Sequence, residues 1–125
     1  MRLALSQDAI IRGIYNRNCG PACPSLDEAG VNRWRWPLEQ PGFNGEIAYT
    51  ATHGITAMTP AQFAALAAIP IPKLVIAGQD DPQMPRSDAV GTAHAIGAPS
   101  PVFVPGRHLT MIASPLQVAA AINRL

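Results

Sequence analysis

The sequence predicts an α/β fold in which parallel strands are flanked by helices. Two short apolar runs, "PKLVIAG" at 72–78 and "PVFVPG" at 101–106, have the length and the bounding prolines and glycines of buried strands. Segments with helix start signals lie before, between and after these runs. From residue 59 the predicted order is therefore helix, strand, helix, strand, helix, which is the rhythm of a βαβ protein.

The helices of residues 59–125 are indicated by the residues that start and end them. Thr59 is a favourable N-cap and Pro60 a favourable first helical residue for "TPAQFAALAAI". The segment "RSDAVGTAHAIGA" is moderately helical and should end at Gly97, and "SPLQVAAAINRL" repeats the Ser-Pro start. Two strands alone make a marginal sheet. Either the first half hides a further strand, for example around "GEIAYTAT", or strands are missing.

Residues 1–58 form a first segment of short helices and loops, and residues 59–125 form a second segment. In the first, "SQDAIIRGIYNR" is predicted to be a helix with Ser6 as its N-cap. A second helix is predicted in "SLDEAGVNRWRW", where Ser25 and Glu28 have the spacing of a capping box, and it should end before Pro37.

Composition excludes several classes of partner. The 125 residues carry nine Lys and Arg against eight Asp and Glu, a formal net charge of +1, so no basic surface for nucleic acid is expected. No apolar stretch approaches the length of a membrane span. The start of the chain does not resemble a secretory signal, so the expected location is the cytoplasm.

The two cysteines, in "NCGPACP", are four residues apart and have neither the spacing of a redox motif nor a second ligand pair for zinc. Two free thiols are the preferred interpretation. A local disulfide is the alternative, because Gly20, Pro21 and Pro24 favour a tight turn.

A carboxylate and an imidazole follow the two predicted strands. Asp81 comes just after the first strand, and His108 comes just after the second. If these strands are neighbours in a parallel sheet, their carboxyl ends open at one edge and the two loops meet there. A carboxylate that accepts the imidazole proton orients the ring and supports it as a general base. Asp80 is the rival candidate for the acid.

These segments resemble the C-terminal portion of an α/β-hydrolase-fold enzyme. "IPIPKLVIAGQDDPQMP" is similar to that family's penultimate core strand and acid loop, and "PVFVPGRHLTMIASPLQVAAAINRL" is similar to its last strand, histidine loop and terminal helix. "VNRWRWPLEQPGF" looks like the end of a cap. The resemblance implies a partial α/β-hydrolase fold preceded by a helical cap segment, with Asp81 as the triad acid and His108 as the triad base.

The chain departs from the family pattern at two places. The family usually has glycine directly before the histidine, whereas Arg107 follows Gly106 here. The sequence also contains no G-x-S-x-G nucleophile elbow. The resemblance therefore implies the C-terminal part of a larger hydrolase, an acid and a base without their nucleophile.

The function implied by the resemblance is ester hydrolysis, that is, acyl transfer to water, on a small ester-like substrate with no cofactor and no metal. We expect the chain alone to be inactive, and we expect it to form a homodimer or to pair with a missing N-terminal half. The alternative function is a non-catalytic module that pairs with another chain to complete its fold.

The remaining candidates are aromatic and histidine side chains. Trp34 and Trp36 are the candidates for substrate binding in the cap, and pinning the cap to the core is the other interpretation, which we favour. His53 and His94 are predicted to be structural, because neither has the spacing of a metal motif.

Overall fold

The structure is a computed structural model, and it describes residues 6–125. These residues divide into two compact units: unit 1 comprises residues 6–16 and 25–57, and unit 2 comprises residues 17–24 and 58–125. None of the helices in residues 6–125 is both long and apolar enough to cross a membrane. The elements in chain order are α1 (Asp8–Cys19), α2 (Glu28–Arg35), a 3-10 helix (Trp36–Glu39), α3 (Phe43–His53), α4 (Pro60–Ala68), β1 (Ile76–Gly78), α5 (Arg86–Ala95), β2 (Val102–Val104), α6 (Thr110–Ala113) and α7 (Pro115–Ile122).

The predicted fold class is wrong. Helices account for 56% of the residues, and the described part of the chain has only one sheet, formed by two parallel strands. The protein is therefore small and mostly helical, and a partial α/β-hydrolase fold is not supported. Both predicted strands exist, but each is three residues long, β1 at 76–78 and β2 at 102–104.

Prolines flank β2 directly on both sides. A proline has no backbone N–H to donate to a ladder, so it is confined to the ends and edges of strands. Pro101 and Pro105 bracket β2, whereas Pro72 is the first residue of the first apolar run and lies four residues before β1. The β ladder is limited to three pairs, Ile76 with Val102, Ala77 with Phe103 and Gly78 with Val104.

The elements that the structure describes in unit 1 are all helices. "GEIAYTAT" lies inside α3, so the suggestion of a hidden strand there is wrong. The helix α2 begins later than predicted, because Asp27 and not Ser25 caps it: the Asp27 carboxylate accepts a hydrogen bond of 2.6 Å from the backbone N–H of Gly30. Side chains from α1 and α2 are buried in this unit: Ile11, Tyr15 and Val31.

Unit 2 contains the sheet and the helices around it. The helix α4 begins as predicted, with Thr59 as its N-cap and a complete capping box to Gln62. The helix α5 connects the two strands and buries Ala89 and Ala93. At its start the Arg86 guanidinium lies 3.9 Å from the centre of the Phe103 ring of β2, a cation–π contact between helix and sheet.

Candidate active site

Asp81 lies in the acid loop (79–85), which follows β1. Its Oδ1 accepts hydrogen bonds from the backbone N–H groups of Gln83 at 2.7 Å and Met84 at 3.1 Å. This is the local turn that an Asp side chain forms with the backbone two residues later. The carboxylate is only 4% exposed. Its orientation is therefore set within its own loop.

His108 lies in the histidine loop (105–109), which follows β2. Its Nδ1 lies 2.9 Å from Oδ2 of Asp81, and the imidazole is 41% exposed. An ionised carboxylate can only accept, so Nδ1 carries the proton in this assignment and the neutral ring keeps Nε2 as an acceptor. A partly exposed imidazole with an accepting Nε2 is the form that a general base requires.

The environment of Asp81 favours its charged form. Burial of the carboxyl raises the pKa, but the hydrogen bonds from Gln83, His108 and Met84 and the charge of His108 together outweigh burial and lower it. Asp81 is thus ionised at neutral pH, and its carboxylate can accept the hydrogen bond from Nδ1–H of His108.

Backbone hydrogen bonds continue from the strands into both loops. The N–H of Gln79 donates to the carbonyl of Val104 at 2.9 Å, and the N–H of Asp80 donates to the carbonyl of Gly106 at 3.1 Å. These bonds extend the parallel pairing beyond the ends of β1 and β2. They hold the acid loop and the histidine loop side by side.

Two glycines make this close approach possible. A Cβ built on Gly78 would lie 2.2 Å from the carbonyl oxygen of Arg107. Gly106 has φ +111°, a conformation that glycine adopts readily, and a Cβ there would lie 2.5 Å from the Cβ of Ala113. Gly106 thus turns the chain out of β2, while Arg107, at the position where the resembled family has glycine, extends its side chain to the carbonyl of Arg17 at 3.1 Å.

A third segment, Arg17–Cys23, supports both loops. The backbone N–H of Leu109 donates to the carbonyl of Asn18 at 3.0 Å, and the side-chain amide of Gln83 donates to Oδ1 of Asn18. Cys19 and Cys23 form a disulfide with their Cα atoms 5.7 Å apart. The preferred interpretation of two free thiols is therefore wrong, and the alternative of a local disulfide is confirmed.

The rival acid, Asp80, contacts the histidine loop through its backbone. Its N–H binds the Gly106 carbonyl, whereas the hydrogen bond to His108 comes from the carboxylate of Asp81. Of the two adjacent aspartates, Asp81 is the one that the fold pairs with the imidazole. The catalytic roles of Asp81 and His108 remain predictions.

Trp34 and Trp36 belong to unit 1 and differ in exposure. The Trp34 ring packs edge to face against Tyr15, with ring centres 5.6 Å apart and planes at 77°. Trp36 is 65% exposed and lines an open depression with Asn32 and Arg33. Trp34 thus has a packing role, and substrate binding by either tryptophan remains a prediction.

The other two histidines lie on helices. His53 stacks on Tyr49 within α3, with ring centres 4.1 Å apart, and His94 is an exposed residue of α5. Residues 6–125 hold no cluster of three or more His, Cys, Asp or Glu side chains with the arrangement of a metal site.

Sequence reasoning missed the residues that hold the pair in place. Gly78 was interpreted only as the end of a strand, although a glycine between a buried strand and a functional loop also signals a close backbone approach. The turn at Asp81 had a signal in its Asp-Pro start. The contact of Asn18 with both loops had none, because it joins segments 65 residues apart.

Within residues 6–125 the His108 imidazole is hydrogen-bonded to Asp81, and both cysteine sulfurs are in the disulfide. Comparisons with protein-family models, curated proteins and solved structures found no match.

Proposed function

We propose that the chain supplies the acid and base of an ester-hydrolysing site. Asp81 holds the tautomer of His108, and Nε2 of His108 takes the proton from a hydroxyl nucleophile that a second polypeptide delivers. The observation that carries this proposal is the 2.9 Å contact between Nδ1 of His108 and the buried carboxylate of Asp81. The resemblance of the two loops to the acid and histidine loops of α/β-hydrolases supports the reaction class.

The test supplies the nucleophile as a small molecule. Acetyl transfer from p-nitrophenyl acetate to water and to added 1-propanol is measured with the 125-residue chain and its His108→Gln, Asp81→Asn and His94→Gln variants. His94 is the matched control, an exposed histidine on a helix of the same unit. The N-terminal amine and His53 are present in every variant, so their background reactions cancel, and His94→Gln measures the background from His94.

The dyad predicts a propanol-dependent rate that is lost in His108→Gln, reduced in Asp81→Asn and unchanged in His94→Gln. Positioned general-base catalysis is worth roughly 100- to 10,000-fold, and an unbound alcohol forfeits most of this, so an acceleration of about 10-fold or less is expected. Equal rates for the unsubstituted chain and His108→Gln would contradict the proposal. Turnover that His108→Gln abolishes but that does not depend on propanol would mean that the imidazole attacks the ester itself or activates water, and would contradict the need for a second polypeptide.

We infer a second candidate function, a non-catalytic module that pairs with another polypeptide. An apolar groove of about 400 Å³ beside β1, with exposed Met111 at its rim, favours it. The groove is lined by Leu74, Ile76, Thr110, Met111, Val118, Ile122 and Leu125. Sedimentation velocity over a range of concentrations tests a second copy as the occupant: a dimer that Met111→Glu disrupts is expected, and a monomer at every concentration would contradict it.

We also propose a cytoplasmic location, which has a consequence for the disulfide. Disulfides persist in oxidising compartments, so a cytoplasmic location, as expected above, leaves Cys19–Cys23 open to cellular dithiols. Immunodetection of the chain in fractionated cells tests the location.

A further inference from the structure

The segment Arg17–Cys23 holds the histidine loop on both sides of His108. On one side the Arg107 guanidinium donates to the carbonyl of Arg17 at 3.1 Å. On the other side the N–H of Leu109 donates to the carbonyl of Asn18 at 3.0 Å. Both acceptors are backbone carbonyls in the last turn of α1, so the position of His108 depends on the path of this backbone.

The disulfide fixes that path. Cys19 is the last residue of α1 and is fully buried, and the chain reverses directly after it at Gly20, where φ is +85°. The N–H of Cys23 donates to the carbonyl of Gly20 at 3.2 Å, and the Cys19–Cys23 bond closes the turn. The Arg107 side chain packs on this turn, since a Cβ at Gly20 would lie 3.2 Å from its Cγ.

We propose that Cys19 and Cys23 are positioning residues of the Asp81–His108 pair, and that reduction of their disulfide by a dithiol releases the histidine loop. The catalytic consequence rests on the proposed function, whereas the structural consequence does not. The disulfide constrains the turn that supplies the carbonyl acceptors, and no bond of the strand ladder depends on it.

The chemistry is thiol–disulfide exchange with a dithiol such as dithiothreitol. One thiolate of the dithiol attacks Sγ of Cys23, which is the more accessible sulfur because Cys23 is half-buried and Cys19 is not exposed. The Cys19 sulfur leaves as a thiolate and takes up a proton. The second thiol then displaces Cys23, so the dithiol becomes a disulfide and the protein gains two electrons and two protons.

Nuclear magnetic resonance tests the release of the loop. The ¹⁵N-labelled chain is studied oxidised, reduced with dithiothreitol and reoxidised, with a thiol count to confirm each state. We expect the oxidised His108 ring to be the single Nδ1–H tautomer and the reduced ring to show averaged ring-nitrogen shifts. The amide of Leu109 should exchange with solvent on the order of 10-fold faster after reduction.

Two controls keep the result specific. The amide of Gln79, bonded to Val104 in the extended ladder, should change less than about 2-fold in exchange rate. A Cys23→Ser variant should resemble the reduced chain and should not respond to dithiothreitol. Unchanged His108 shifts and Leu109 exchange in a fully reduced sample would overturn the proposal, as would equal acceleration at Gln79, because the bond would then stabilise the whole unit and position no particular loop.

The assay separates this proposal from the proposed function. If reduction frees the loop and also removes the propanol-dependent rate, both stand. If the spectra change and no sample has catalytic activity, the positioning role stands and the proposed function fails. If the spectra do not change and the oxidised chain is active, the proposed function stands and the positioning role fails.

Discussion

Gly78 lies directly against the backbone of Arg107. A Cβ on the glycine would stand 2.2 Å from the Arg107 carbonyl oxygen and 2.6 Å from that of Gly106, distances at which two atoms cannot coexist. The backbone of Arg107, directly before His108, therefore passes β1 at Gly78, where β1 has no side chain. Glycine is required at position 78 because a side chain would not fit there. Backbone conformation is not the reason, since Gly78 is not one of the five glycines with positive φ.

Gly78→Ala should displace the histidine loop and lower the free energy of unfolding by about 2–3 kcal/mol, because the obstructing atoms belong to the backbone and cannot rotate away. Urea unfolding measures the loss. Gly91→Ala is the matched control: a Cβ there meets nothing within 4 Å, and alanine is the better helix former, so stability should rise by up to about 1 kcal/mol. Equal effects at the two glycines would contradict the close approach.

Asp81→Asn should make the protein less stable at neutral pH by about 2 kcal/mol, because a neutral amide oxygen accepts hydrogen bonds more weakly than the charged carboxylate. The pKa of Asp81 is lowered in the folded state, so its contribution is complete above the unfolded pKa of about 3.9 and is lost as the pH falls through the folded pKa.

The difference in unfolding free energy between the unsubstituted chain and Asp81→Asn should thus shrink towards acid pH, as urea titrations at several pH values will determine. Asp80→Asn, at the exposed neighbour, is the matched control for the same change of carboxylate to amide. A difference that stays constant with pH would argue against an ionised Asp81.

Cys23→Ser should lower the free energy of unfolding by about 2 kcal/mol, the entropic effect of a disulfide that closes a very short loop. Thermal unfolding of the variant and of the chain with dithiothreitol should give the same midpoint. A larger loss with dithiothreitol would contradict this expectation, because the chain has no other cysteines to reduce.

Thr59→Ala should cost about 1 kcal/mol, since it removes the side-chain half of the capping box at the start of α4. Thr56→Ala, three residues earlier in an exposed irregular segment, serves as the comparison and should be close to neutral. Circular dichroism during urea unfolding provides both values.

The two tryptophans should be distinguishable by fluorescence. Trp36→Phe leaves Trp34, packed on Tyr15, and emission should shift to the blue with weak quenching by iodide. Trp34→Phe leaves Trp36, which is 65% exposed, and emission should shift to the red with strong quenching. Similar quenching of both variants would contradict the packing of Trp34.

The sequence predicted elements better than it predicted their assembly. Start signals placed α4 and α7 correctly, because caps and first-turn prolines act within a few residues. The strands were located but overextended, because an apolar run indicates burial and does not indicate how many residues pair. The extent of the sheet was predicted to be too large. Strand pairing joins residues 26 apart in the chain, such as Ile76 and Val102, and composition does not show which residues pair.

The candidate site, too, was predicted only in part. The contact between Asp81 and His108 was anticipated, because loops that follow neighbouring parallel strands open at one edge. The local disulfide was only the alternative interpretation, and the support from Asn18 was not predicted, because that contact joins the last turn of α1 to loops distant in the chain. Sequence patterns thus indicated which groups do chemistry more readily than what holds them.

The local turn at Asp81 has a consequence for the order in which the site assembles. The bonds from Gln83 and Met84 close within three residues, a step of nanoseconds, and need nothing outside the acid loop. The bond to His108 spans 27 residues and must wait for α5 and the strand pairing. We therefore expect the turn that orients the carboxylate to form before the contact with the imidazole, which closes over a much longer stretch of chain.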